Sequence, residues 1–320
     1  MVVLAKEHVM GTIEMRHAYC DALIDAAVKD SRIVSINCDL STSMGTVNFE
    51  KAFPDRSFNV GLEETNGCGM AAGMSATGLI PFFHSFSVFT SRRIYDQIFI
   101  SCAYAGLNVK LIGGDAGVSA TYNGGTHMPF DDVGILRNIP TITIVEASDA
   151  VMMGDLIPKI ADSYGVFYLR MSRKKVVQIY EEGSTFTIGK ANVLREGKDV
   201  SIISSGITVY EALKAADMLA SEGISASVVD MFTIKPIDAE CIIEQAQKTG
   251  AIVTAENHSI INGLGSAVAE VLVENKLVPM ERVGVQDEFG EVGKQDYLME
   301  RFGLTAKTIY EKTKIAISRK

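Results

Sequence analysis

The 320-residue chain has no apolar run approaching the roughly 20 residues of a membrane span, and "MVVLAKEHVMGTIEMRHAYC" at its start lacks the form of a signal peptide. Nor does it carry an excess of positive charge. Its 30 Lys and Arg against 39 Asp and Glu give a net charge of -9, which argues against a phosphate-backbone binder of nucleic acid. Cysteine pairs are missing as well: Cys20, Cys38, Cys68, Cys102 and Cys241 stand singly with no CxxC, as reduced thiols in a cytoplasmic protein would, and structural zinc is not expected. Low-complexity tracts and short tandem repeats are absent too.

What is present is alternation. The β-branched or apolar runs "RIVSINCD", "SFNVG", "IPFFHSF", "NVKLIGG", "TITIVEAS" and "VFYLRMS" are separated by segments of helical length, the pattern of a mainly parallel sheet covered by helices. After Arg173 the chain turns polar, reading as a linker plus a strand or hairpin. A second series then follows in "VSIISSG", "SASVVDM", "AIVTAEN" and "ERVGVQD", with helices expected near Val209, Asp238, Gly265 and Thr305. The expectation is two α/β domains, 1–185 and 186–320, the length suiting two cores better than one.

Ligands of such sheets gather at the carboxyl ends of strands. Glu64, His84, Asp115 and Arg173 fall at or just past strand ends, which points to the first domain as the active one. In "FNVGLEETNGCGMAAGMSATG" two acids, Glu63 and Glu64, open a helix of Gly, Ala and Met that looks made to be covered, so at least one acid should be partly buried. The spacing of Gly67, Gly69 and Gly73 does not make a dinucleotide fingerprint, and close helix packing explains these glycines better. "NGLGSA", Asn262 to Ala267, could hold an anion at a helix start, but a tight turn is the plainer reading.

Phe86 and Phe89 share one face if a helix begins near Ser87; they could be core or could stack a flat heterocycle. His127 sits in the polar, Gly-rich "YNGGTHMPFDD", where a packing role is hard to assign. His84 is evenly balanced between structure and function, and His258 reads as structural or interfacial. Arg16, Arg92, Arg93, Arg137, Arg170 and Arg173 are candidate anion clamps.

The segment from Ser57 to Asp149, with "FNVGLEETNGCGMAAGMSATGLIPFFHSFSVF", "GGTHMPFDDVGILRNIP" and "VEASDA", resembles the pyrimidine-binding domain of transketolases. The stretch from "DVSIISSGITVYEALKAADMLASEGISASVVDMFTIKPID" to "VGVQDEFGEVGKQDYLMERFGLTAKTI" resembles their C-terminal domain. The resemblance implies that Glu64 hydrogen-bonds the N1′ of the aminopyrimidine of thiamine diphosphate, favouring the imino tautomer that activates the cofactor. A carboxyl shielded by apolar groups can share a proton with such a weakly basic nitrogen. It also implies that Phe86, Phe89 and Arg92 surround the pyrimidine and that Asp39 in "CDLSTS" lies near the cofactor. His127 would handle substrate oxygens and protons, Arg16, Ser43 and Arg173 would hold a substrate phosphate, and Asn123 would read a hydroxyl.

Two departures stand out. "GDAGVSATYNGGTHM" has Gly114 or Asp115 where the family places a phosphate-binding histidine, and Asn123 where it places an aspartate, so an unusual substrate is expected. No GDG motif occurs, so the chain assigns no ligand to Mg²⁺ or the diphosphate; a separate N-terminal subunit would carry them, in an α₂β₂ assembly. The expected activity is two-carbon ketol transfer from a ketose, expected to be phosphorylated, to an aldehyde. The β subunit of a 2-oxoacid dehydrogenase, suggested by "AENHSIINGLGSAVAEVL", and a non-catalytic partner subunit are the rival readings; an activity like that of deoxyxylulose-phosphate synthases fits less well.

Overall fold

A computed structural model describes residues 2–320. The first domain runs α1 (Met15–Lys29), β1 (Ile33–Asn37), α2 (Ser41–Met44), α3 (Val47–Ala52), β2 (Ser57–Asn59), α4 (Glu64–Ala76), β3 (Ile80–Phe86), a π-helix (Gln97–Tyr104), β4 (Lys110–Gly114), α5 (Asp132–Leu136), β5 (Thr143–Glu146), α6 (Ala150–Asp162) and β6 (Phe167–Met171). The second runs β7 (Asn192–Arg195), β8 (Val200–Ser204), α7 (Thr208–Ser221), β9 (Ala226–Asp230), β10 (Thr233–Lys235), α8 (Ala239–Thr249), β11 (Ile252–Ser259), α9 (Leu264–Asn275), β12 (Met280–Val285), α10 (Gln295–Arg301) and α11 (Ala306–Ser318).

The first sheet has the order β10-β5-β6-β4-β3-β1-β2, parallel except for β10; the second has the order β12-β11-β8-β9-β7, with β7 antiparallel to β9. Strands β1, β3, β4 and β6 are buried on both faces, as expected of parallel strands sandwiched by helices. The two domains are not separable at the linker. Thr233 and Lys235 pair with Val145 and Ile144, so a strand from the second half closes the edge of the first sheet. Residues 2–14 lie along the linker, with bridges Leu4 to Tyr180 and Met10 to Val177. Asp149 caps α6 through Met152 N at 2.8 Å, and its other oxygen accepts from Ile179 N and Tyr180 N, fixing the linker to the helix start.

No helix begins at Ser87. Residues 87–91 form turns and Arg92–Ile94 a 3₁₀ turn, so Phe86 ends β3 while Phe89 sits in the turn, its N–H donating to Phe86 O. Of the glycines in α4, only Gly67 is closely packed: a Cβ there would meet the Phe83 ring at 2.7 Å, whereas Gly69 and Gly73 face open space. The start of α9 is filled from within, since Glu256 accepts from Leu264 N at 2.7 Å and Gly265 N at 2.8 Å, leaving no room for an anion.

Candidate active site at the carboxyl ends of the first sheet

Glu64 is the first residue of α4 and 2% exposed, while Glu63, the residue before it, is exposed. A buried carboxylate needs partners to offset its lost hydration. Glu64 has two: Ser85 Oγ donates at 3.0 Å from β3 and the Arg93 guanidinium at 2.8 Å. Arg93 is about half exposed and lies 3.9 Å over the Phe89 ring, so its planar cation both pairs with the acid and stacks on the aromatic face.

His127 joins this group from a different segment. Its ring stands edge-on to Phe86 at 5.8 Å and to Phe89 at 5.4 Å, and its Nδ1 is engaged by Thr126 Oγ1 at 2.9 Å. Val88, Phe89, Arg92, Arg93, Thr126 and His127 line an open cleft of about 600 Å³. Arg92 lies on its rim, donating to Asp131 at 3.3 Å and to Thr126 O. Arg93, the next residue, is the one stacked on the Phe89 ring.

A second cluster forms around Ser43. Its carbonyl accepts from Arg16 Nη1 at 3.1 Å and from Arg173 Nη1 at 3.2 Å. Arg173 also donates Nε to Asp115 at 2.6 Å, and its guanidinium lies 4.8 Å over the Phe86 ring, linking this cluster to the aromatic one. Asn123 Nδ2 donates to the other oxygen of Asp115 at 3.3 Å. Asp39 is exposed and tied to the Asn59 side chain. Asp39 and Asp115 have φ of 59° and 63°, left-handed backbone that non-glycine residues adopt at a cost.

Other candidates fall away from the site. His84 lies wholly in the core, where Nδ1 meets Ile36 O at 3.0 Å and Nε2 meets Tyr19 OH at 2.6 Å; burial pushes its pKa down to about 4, so it is a satisfied neutral core histidine. His258 bridges the domains, Nε2 receiving Gly134 N at 3.3 Å. Arg170 is fully buried among Asp132, Glu146, Pro129 O and Asn257 O, and Arg137 pairs across the domains with Glu270.

Sequence reasoning did not single out Asn257. From β11 of the second domain, its fully buried amide donates to Ala116 O at 2.8 Å and accepts from Val118 N at 2.9 Å, mimicking a strand pairing. It thereby pins the start of the loop that carries Asn123 and His127. Gly290 packs against Gly125 at the far end, where a Cβ on Gly125 would meet its carbonyl at 2.1 Å. These contacts join segments more than 130 residues apart, and no local pattern announces them.

The residues fit the pyrimidine end of thiamine diphosphate. A buried acid beside aromatic faces and an open cleft suits a flat, weakly basic heterocycle. Among the described residues no group of three His, Cys, Asp or Glu could hold a metal.

An α/β pair of domains with a buried acid at the start of a helix and an aromatic cleft beside it defines the class of a pyrimidine-binding half of a thiamine enzyme. The family models for the transketolase pyrimidine-binding domain and the transketolase C-terminal domain match residues 11–178 and 189–309. A 6-deoxy-6-sulfo-D-fructose transketolase subunit from Clostridium sp. (strain MSTE9) is 51% identical over 92% of each chain. An apulose-4-phosphate transketolase subunit from Phocaeicola vulgatus is 35% identical over 93% of this chain and 95% of the relative. A solved split-gene transketolase, described as an inactive β4 tetramer, superposes with a TM-score of 0.90 at 42% identity, covering 96% of this chain and 99% of its own. The chain belongs to the transketolase family, and its own extent matches that of subunits from split transketolases.

Proposed function

We propose that this chain is the C-terminal subunit of a two-component transketolase that moves a two-carbon ketol unit from a ketose bearing a terminal phosphate or sulfonate to an aldehyde acceptor. The carrying observation is the buried Glu64 carboxylate paired with Arg93, whose guanidinium lies over Phe89 in the cleft that His127 also lines, with Phe86 edge-on to His127. Thiamine diphosphate, when bound, supplies the electron sink for cleaving the donor's carbon–carbon bond. Glu64 holds a proton against the ring nitrogen of the aminopyrimidine, exchanging Arg93 for it; Arg93 makes the two contacts, to Glu64 and to the Phe89 face, that such a ring would make. Phe86 and Phe89 hold the flat ring, with Arg92 at the rim and Asp39 at the neighbouring strand end. His127, with Nδ1 engaged by Thr126, keeps Nε2 for the oxygens and protons of the ketose. Arg16, Ser43 and Arg173 take the terminal anion, and Asn123 reads a hydroxyl along the chain of the sugar.

The diphosphate and its Mg²⁺ are held by an N-terminal partner subunit in an α₂β₂ assembly. Supporting this, α4 presents Thr65, Gly69 and Gly73 outward at helical spacing, and Leu62, Ile100 and Tyr104 nearby are 70%, 51% and 83% exposed, an apolar surface suited to a second subunit. The inactivity of the solved β4 relative accords with a subunit that lacks half its site. Five free, buried cysteines suit the reducing cytoplasm. In the assembled complex Glu64→Ala should lower ketol transfer by about 1000-fold, since it removes the group that activates the cofactor; near-full turnover would refute the assignment.

A further inference from the structure

The residues expected at the anion end of the site form a network of ion pairs. Arg16 pairs with Glu14 at 2.7 Å and Arg173 with Asp115 at 2.6 Å, while Lys174 reaches Glu14 at 3.4 Å. Counting the Arg and Lys cations, three stand against two carboxylates and leave one net positive charge, with His17 Nε2 4.0 Å from Glu14 beside them. Asp115 is 1% exposed and fixed on both oxygens, by Arg173 and by Asn123, so its carboxylate cannot swing away from an arriving anion. Arg173 has Nε on Asp115 and Nη1 on Ser43 O, and no protein partner engages its Nη2 among the described residues.

We infer that Asp115 makes this site selective for a terminal monoanion, a sulfonate, over a phosphate dianion. The inference rests on the reading above, that the far end of the ketose lies between Arg16 and Arg173. Sulfonate and phosphate are both tetrahedral groups of acceptor oxygens, so shape separates them little. Charge does: a phosphate ester carries about -1.5 to -2 at pH 7, whereas a sulfonate is fixed at a single negative charge. One net positive charge balances the sulfonate. It leaves the dianion with an unmatched charge beside a buried carboxylate, where water screens poorly.

The test uses the enzyme assembled with its N-terminal subunit and compares kcat/KM for 6-deoxy-6-sulfo-D-fructose, D-fructose 6-phosphate and D-fructose. The wild type should prefer the sulfonate over the phosphate by at least about tenfold, and Asp115→Asn should narrow that ratio by about tenfold, mainly through KM for the phosphate with kcat little changed. Because Asp115 is buried, thermal unfolding checks the variant's fold. Glu14→Gln, which removes the partly exposed carboxylate on Arg16, should narrow the ratio in the same direction by about threefold. A wild type that favours the phosphate, a ratio unmoved in both variants, or D-fructose used as well as either anion would overturn the inference. Absence of transfer from every ketose would refute the transketolase reading, and this inference with it.

Discussion

Glu64, at the head of α4 in the first domain, and Glu256, inside β11 in the second, are both 2% exposed acids beside a helix start, yet their partners differ in kind. Glu256 spends both oxygens on the N–H groups of Leu264 and Gly265, fixed backbone donors of the helix it caps. Glu64 is satisfied by Ser85 and by a half-exposed arginine at the edge of an open cleft. A buried acid held by backbone is structure. One whose charge is met by a movable side chain can exchange that partner for a ligand.

The comparison can be broken most sharply by exchanging the substitutions. Glu64→Ala should abolish turnover, by about three orders of magnitude, while sparing the fold. Glu256→Ala should leave turnover per folded complex near normal and cost about 2 kcal/mol in urea denaturation, because two helix N–H groups lose a charged acceptor. If Glu256→Ala lost turnover without losing stability, the distinction would fail.

Asp230, at the end of β9, is a third buried acid and a more extreme closed case. Ser148 Oγ at 2.8 Å and Tyr180 OH at 2.5 Å both donate to Oδ2, and Oδ1 has no partner. Burial raises its pKa to about 7 despite those two hydrogen bonds, with the Asp149 and Glu146 carboxylates adding to the rise. The folded state therefore binds a proton more tightly than the unfolded one, and the stability this confers is lost as pH rises from about 4 through about 7. Asp230→Asn, neutral throughout, should gain on the wild type over that range by roughly 3–4 kcal/mol at most and stay level above it. Denaturation midpoints at pH 5 and pH 8 would show it; a difference independent of pH would contradict it.

The smallest effect falls on the movable partner. Arg93→Ala should cost the isolated chain about 1 kcal/mol, reduced by the half exposure of Arg93 and by the remaining Ser85 bond. A loss as large as that expected for Glu256→Ala would mean that Arg93 is a fixed structural ligand.

Much of this arrangement was legible in the chain itself. The parallel strands announce themselves by β-branched runs, and Thr208, Asp238, Leu264 and Thr305 begin or cap helices at or next to the expected places. Glu64 stood out because an acid at the head of a helix of Gly, Ala and Met has few reasons to be there. Contacts that depend on tertiary placement were not legible. The contacts of Arg93 with Glu64 and Phe89 depend on an irregular turn after β3, and β10 left its neighbours to pair with β5. Asn257 reads as an ordinary strand residue until the loop at Ala116 is brought against it. Asp115 was one of two positions near the missing histidine, and its pairing with Arg173 across 58 residues has no local signal.

The most direct measurement is calorimetric binding of thiamine diphosphate with Mg²⁺ to this chain alone and then to its mixture with the N-terminal subunit. The account predicts no measurable binding to the chain alone and saturable binding to the mixture, because Glu64 and the aromatic cleft supply only the pyrimidine end. Tight binding by the chain alone would contradict it, since the diphosphate and metal would then be held by residues that no part of this structure brings together.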